Sequence, residues 1–242
     1  MPSPKGIPLA FRHTAGSGPA IVFLPGYMSD MTGGKATAVF EHCAARAKEC
    51  LLLDYSGCGE SDGDFAEGML SAWRDEVVSL VETQVESRRI VLVGSSMGGW
   101  LMLLAGMALS ERLGGLVGIA AAPDFSDWGY DEAQKAKLRA GETVFEESAY
   151  DYDPMPTHAS FWQDAEANRL LDDIIPLTCP VRLLHGQDDR DVPPQISFRL
   201  AAALASEDVQ VTLVKGGDHR LSRERDVALL LRVVGTFWEH RA

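Results

Sequence analysis

The stretch Ile90-Val91-Leu92-Val93-Gly94-Ser95-Ser96-Met97-Gly98-Gly99-Trp100-Leu101-Met102-Leu103 decides how the rest of the chain is read. Four consecutive branched apolar residues read as a strand buried on both faces, and the apolar run from Met97 to Leu109 reads as a helix packed against it. Only Gly94-Ser95-Ser96 separates the two, so the chain must reverse within a few residues. Small residues at 94 and 98 permit that close approach, and the strained turn lifts the Ser96 hydroxyl above the sheet. A bare G-x-S-x-G arises by chance. With a strand before it and a helix after it, the pattern nominates Ser96 as a nucleophile.

Outward from this turn the same alternation recurs. Short runs rich in Val, Ile and Leu stand at Ile21 to Leu24, Leu51 to Leu53, Leu116 to Ala120, Val181 to Leu184 and Val209 to Leu213. Helical patterns fill the intervals Lys35 to Lys48, Met69 to Val85, Pro194 to Leu204 and Ser222 to Glu239. Strand alternating with helix predicts a doubly wound α/β domain with a mostly parallel sheet. The alternation breaks once, between Ala122 and Pro180. That interval carries Phe125, Trp128, Tyr130, Phe145, Tyr150, Tyr152, Phe161 and Trp162, whereas a linker would be rich in Gly and Ser. Residues 124–177 are expected to form an inserted cap within a single domain spanning 1–242.

Length and charge bound the alternatives. The 242 residues, 46% of them hydrophobic, suffice for one domain with a full-sized core. A formal net charge of −13 repels a phosphate backbone, so nucleic acid is excluded as a partner over most of the surface. No run reaches the length of a membrane-spanning helix. The start, Met1-Pro2-Ser3-Pro4-Lys5-Gly6, lacks the basic opening and apolar run of a secretory signal, which predicts a cytoplasmic protein, or a mitochondrial-matrix one if the chain is a processed form. Cys43, Cys50, Cys58 and Cys179 show no CxxC pair or metal-ligand spacing, so they read as reduced packing residues and no metal is expected.

A serine hydroxyl is a weak nucleophile at neutral pH and needs an imidazole to take its proton. In sheets of this build the order is serine, acid, histidine, with the base on the loop after the last strand. His219, in Lys215-Gly216-Gly217-Asp218-His219, follows the strand Val209 to Leu213 and is the expected base. His13 and His42 precede the serine, His158 lies in the inserted segment, His185 ends a strand and His240 lies in the terminal helix. The acid should follow Val181 to Leu184, where His185-Gly186-Gln187-Asp188-Asp189-Arg190-Asp191-Val192-Pro193 offers three aspartates. The pattern His-Gly-x-x-Asp-x-x-Val-Pro selects Asp189, with Asp188 next. Asp124, after the preceding strand, is the alternative position, otherwise a turn or cap residue.

Attack on a carbonyl generates an oxyanion, which needs fixed donors. The backbone N–H of Met97 is the expected first donor. The second is that of Tyr27, in Leu24-Pro25-Gly26-Tyr27, since Pro25 has no amide proton. The glycine-rich run Asp54-Tyr55-Ser56-Gly57-Cys58-Gly59-Glu60-Ser61-Asp62-Gly63 lacks a Gly-Lys-Ser or Gly-Lys-Thr ending and carries acids that oppose phosphate, so it reads as a structural loop.

These motifs, together with Trp73-Arg74, Cys179-Pro180-Val181-Arg182 and Asp218-His219-Arg220, resemble the mitochondrial acyl-glucuronide esterase and palmitoyl-protein thioesterase branch of the α/β-hydrolase-domain group. The similarity covers nearly the whole chain and is weakest over 124–177. It implies the α/β-hydrolase fold, a Ser96–His219–Asp189 triad, no cofactor, and hydrolysis of acyl glucuronides or long-chain acyl thioesters. The same triad also serves acyltransferases and carbon–carbon bond hydrolases, and the fold also hosts binding proteins that have lost catalysis. Expected substrate contacts are Trp100, Phe125 and Trp128, with Arg190 and Arg220 flanking the acid and the base.

Overall fold

The computed structural model describes residues 1–146 and 154–239. The strands are β1 (Phe11–Thr14), β2 (Ser17–Leu24), β3 (Lys48–Leu53), β4 (Ile90–Ser95), β5 (Leu113–Ile119), β6 (Val144–Glu146), β7 (Met155–Thr157), β8 (Val181–Gly186) and β9 (Val209–Val214). The helices are α1 (Gly34–Ala44), α2 (Leu70–Gln84), α3 (Met97–Ala108), α4 (Phe125–Trp128), α5 (Glu132–Arg139), α6 (Ala159–Glu166), α7 (Gln195–Ala203) and α8 (Glu224–Glu239). One sheet runs β1-β3-β2-β4-β5-β8-β9, parallel throughout except for β1, which pairs antiparallel with β3.

The continuous apolar runs are buried on both faces, and the pleat sorts their side chains. Ala20, Val22 and Leu24 of β2, with Ile90 and Leu92 of β4, join α2 and α3 in one core. Ile21, Phe23, Val91 and Val93 point the other way, into a second core with Ala36, Val39 and Cys43 of α1 and Leu230 and Val234 of α8. Period-two alternation beneath an unbroken apolar sequence is what covering both faces requires.

Three local features depart from the sequence expectation. β1, with Arg12 and His13 in a four-residue strand, is too short and polar to register as a core strand, and it occupies the sheet edge. Helix α1 ends at Ala44 rather than Lys48, because Ala47 turns at φ 50° and Lys48 already belongs to β3. The 124–177 segment holds not only α4, α5 and α6 but also the two-stranded ribbon β6–β7, in which Phe145 opposes Pro156. Tyr150, Tyr152 and His240 lie outside the described residues. Among the described residues no helix is long and apolar enough to cross a membrane.

Candidate active site

Four loops leave the carboxyl ends of β2, β4, β8 and β9, the edge where open α/β sheets gather their functional groups. The turn after β4 explains its glycines. A Cβ on Gly94 would stand 2.2 Å from the Gly98 carbonyl oxygen, and one on Gly98 would stand 2.1 Å from that of Leu24. With strand and helix in such contact, Ser96 is forced to φ 54°, ψ −120°, a conformation most side chains avoid.

The loops after β8 and β9 lie against each other. A Cβ on Gly186 would meet the Gly217 and Asp218 carbonyl oxygens at 2.4 Å, and the Asp188 amide donates to the Gly217 carbonyl at 2.8 Å. This backbone seam brings Asp189 to His219. His219 Nδ1 lies 2.9 Å from Asp189 Oδ2, and its Nε2 lies 3.1 Å from Ser96 Oγ. Nδ1–H donates to the carboxylate, which leaves Nε2 free to accept the serine proton. The other carboxylate oxygen, Oδ1, accepts the amides of Asp191 at 2.9 Å and Val192 at 2.8 Å. Burial works to raise the Asp189 carboxyl. Hydrogen bonds from His185 and His219, the charge of His219 and the Val192 amide outweigh it and hold the group well below the usual carboxylate range.

Asp188 is exposed and belongs to the loop surface. Asp124, the other candidate acid, is fully committed elsewhere. It is buried at φ 57° and its carboxylate accepts the amides of Leu170 and Leu171 at 2.7 to 3.1 Å, pinning the end of the 124–177 segment. His13 bonds Glu49, His42 stacks on Trp238, and His158 meets Thr143. The glycine-rich loop is structural: Asp54 accepts the Met31 and Glu60 amides, and a Cβ on Gly59 would collide with that carboxylate.

Tyr27 follows Gly26, whose Cβ position would lie 3.3 Å from the Ser96 Cβ, so the β2 turn borders the serine as Met97 does from the helix start. The Tyr27 ring sits among Phe161, Phe65, Phe125 and Trp73 at centroid distances of 4.9 to 6.4 Å. Phe125 is half-buried between this cluster and Trp100. Trp128 packs on Ala122, Val192 and Ile196 and donates to the Pro123 carbonyl. Trp100 corrects an expectation. It has no exposed surface, and its indole donates to the Asn168 carbonyl at 3.1 Å, so it joins α3 to the 124–177 segment instead of facing a substrate. Arg190 and Arg220 are both exposed, on the acid and base loops.

Two contacts escaped the sequence reading. Lys35, at the start of α1, donates from Nζ to the Arg220 carbonyl at 2.5 Å, tying the His219 loop to a helix far away in sequence. Burial, with Arg220 nearby, lowers this lysine to about 8. The second is His185, which touches the Asp189 carboxylate; its spacing of four residues from Asp189 was the signal.

Among the described residues, Asp189, Asp191 and His219 form a cluster with metal-ligand spacing, their ligand atoms within 4.8 Å of one another. A metal there would take His219 from Ser96. Cys58 is buried and its thiol is pushed up to about 12, which keeps it protonated and poorly nucleophilic.

Residues 21–232 match the profile described as "Alpha/beta hydrolase family". The mouse protein named "Palmitoyl-protein thioesterase ABHD10, mitochondrial" is 44% identical over 230 residues, covering 92% of this chain and 76% of the mouse protein. Its human counterpart of the same name is 37% identical over 235 residues, covering 93% and 75%. The solved structure of mouse alpha/beta hydrolase domain-containing protein 10 superposes with a TM-score of 0.87 at 39% identity, covering 96% of this chain and 94% of that one. With the sheet order, the turn at Ser96 and a profile match across most of its length, this chain belongs to the alpha/beta hydrolase family.

Proposed function

We propose that the protein is a serine hydrolase that cleaves carboxylic esters or thioesters through an acyl-enzyme on Ser96. The observation that carries this is the chain of contacts Ser96 Oγ to His219 Nε2 at 3.1 Å and His219 Nδ1 to Asp189 Oδ2 at 2.9 Å. Ser96 attacks the carbonyl carbon while His219 takes its proton. Asp189 holds the imidazole tautomer and stabilises the imidazolium, and the Met97 and Tyr27 amides meet the oxyanion. His219 returns the proton to the leaving alcohol or thiol, and water releases the acid by the same steps. No metal or organic cofactor enters the sequence of steps.

The relatives' name points to long-chain acyl thioesters. The aromatic residues around Tyr27, with Phe125 half-buried beside them, suit an acyl chain, and the 124–177 segment then acts as a cap over it. The resemblance to acyl-glucuronide esterases adds a carboxylate-bearing leaving group, for which Arg190 and Arg220 are the candidate anchors. Trp128 is assigned to packing between the cap and the acid loop. Of the two expected compartments, the mitochondrial one agrees with the relatives' names and the cytoplasmic one finds no support there.

The test is labelling by a fluorophosphonate followed by intact-mass spectrometry, with turnover of p-nitrophenyl esters and acyl thioesters of graded length. One adduct is expected, absent from Ser96→Ala, with free acid as product. Labelling that survives the substitution overturns the nucleophile, no labelling at all favours a non-catalytic binder, and transfer products in place of free acid favour an acyltransferase.

A further inference from the structure

His185 ends β8, has no exposed surface, and takes no part in the steps just described. Its Nε2 lies 3.0 Å from the Val192 carbonyl oxygen and 3.2 Å from Asp189 Oδ2, while its Nδ1 lies 2.7 Å from Ser197 Oγ on α7. A carbonyl oxygen only accepts, so Nε2 carries a proton and Nδ1 takes that of the Ser197 hydroxyl. Val192 and Ser197 alone would satisfy both nitrogens of a buried imidazole. The one Nε2 proton, given to the Val192 carbonyl at 3.0 Å, is shared with the Asp189 carboxylate at 3.2 Å, a contact that goes beyond that need.

Asp189 Oδ2 therefore faces two imidazoles, His219 Nδ1 at 2.9 Å and His185 Nε2 at 3.2 Å, while Oδ1 takes two backbone amides. We propose that His185 is a positioning residue of this site: its Nε2–H fixes the Asp189 carboxylate in the orientation that meets His219 and draws negative charge away from the shared oxygen. The inference rests on Ser96, His219 and Asp189 acting as proposed above. The bond to His185 limits how strongly Asp189 stabilises protonated His219, so it tunes the base as well as holding the acid. Among the described residues the carboxylate of Asp191 also lies within 4.8 Å of the Asp189 and His219 ligand atoms, and with Asp188, Arg190, Asp218 and Arg220 on the same two loops it stays in place in every variant below.

His185→Asn and His185→Gln separate the roles. The Asn amide reaches the place of Nδ1 and keeps Ser197, but falls short of Asp189; the Gln amide reaches the place of Nε2. Active sites are counted with a fluorophosphonate, and kcat and kcat/KM for a p-nitrophenyl ester are followed across pH. His185→Asn is expected to lower kcat per active site about tenfold, the rate equivalent of one such hydrogen bond, with KM nearly constant. Its acid limb of kcat/KM should move to higher pH, because a carboxylate with one donor fewer favours protonated His219. His185→Gln should recover most of kcat and return the limb toward that of the wild type. A limb that stays at the wild-type pH in His185→Asn, with the rate loss vanishing once active sites are counted, makes His185 a packing residue and overturns the proposal. If both variants fail to fold, Ser197→Ala leaves the tautomer to the Val192 carbonyl and removes only the hydrogen bond at Nδ1 that holds and polarises the ring; its acid limb should shift to higher pH, and an unmoved limb counts against the idea. Ser96→Ala is assayed alongside to tell the two failures apart: activity that survives it defeats the triad reading and this inference with it, whereas a fault in this inference alone leaves Ser96→Ala inactive.

Discussion

The Tyr27 hydroxyl donates to the Pro156 carbonyl at 2.9 Å, tying the turn beside Ser96 to the β6–β7 ribbon, 129 residues further along the chain. Burial pushes the phenol above its usual range, so it remains a protonated donor at any working pH. Tyr27→Phe keeps the ring among Phe161, Phe65 and Phe125 and keeps the backbone amide, but leaves the Pro156 carbonyl without this partner. A loss of about 1 kcal/mol in unfolding free energy is expected. Amide hydrogen exchange should quicken in 144–146 and 155–157, and exchange that stays at the wild-type rate would show that the bond does not hold the ribbon.

The glycines divide by what surrounds them. Gly98→Ala drives a methyl group into the Leu24 and Pro25 carbonyl oxygens, whose positions are fixed by the sheet. Neither backbone can yield cheaply, so a loss of about 3 kcal/mol or failure to fold is expected. Gly235, in the middle of α8, has nothing within 4 Å of a Cβ, so Gly235→Ala should stabilise by about 0.5 to 1 kcal/mol through helix propensity. Thermal denaturation of the two variants measures both effects.

The parallel sheet and the Ser96 turn were legible because burial on both faces and a backbone contact at 94 and 98 each demand particular residue types. Asp189 and His219 were legible from their place after β8 and β9. What was missed depends on pairing across the fold. Nothing local in Phe11-Arg12-His13-Thr14 announces an edge strand, since its partner Cys50 to Leu53 lies in another element. The bond from Lys35 to the Arg220 carbonyl joins residues separated by most of the chain, and the donor is of a type usually given to solvent. Trp100 misled for the opposite reason. It stands four residues after Ser96 and was an expected substrate contact, but as part of α3 it turns into the core, toward Asn168.

Arg190 and Arg220 branch from the loops that carry the acid and the base, and both are exposed. Around them stand the exposed acids Asp188 and Asp218, so a solvated charge balance is the competing account. Kinetics separates the two. Arg190→Ala and Arg220→Ala should each raise KM for an acyl glucuronide several-fold while barely affecting a neutral p-nitrophenyl ester, because only the anionic substrate loses a partner. Equal effects on both substrates, or none on either, would leave the arginines as surface charge.

Asp188 and Asp189 are adjacent, yet the first is exposed and the second holds His219. Asp189→Asn should lower kcat by about 10⁴, the loss found when the corresponding acid of the best-studied triad is neutralised, because the base is then held in the wrong tautomer. Asp188→Asn should remain close to the wild type. Asp189 also makes a prediction about stability. Asp189 is held below the usual carboxylate range in the folded state, whereas in the unfolded chain it titrates near about 4. Its ionised form therefore stabilises the fold above that pH, and the contribution is lost as the pH falls below it, where the unfolded chain takes up the proton first. Asp189→Asn has no such group to titrate. The gap in unfolding free energy between the wild type and Asp189→Asn should therefore narrow as the pH is lowered through about 4. Buried Asp54, Glu76 and Asp124 are pushed upward by burial and titrate with the opposite sign, but they are common to both proteins and cancel in the comparison. Urea denaturation at a series of pH values decides the matter, and a gap to Asp189→Asn that does not change with pH would mean that the carboxylate is not held in its charged form by the bonds described.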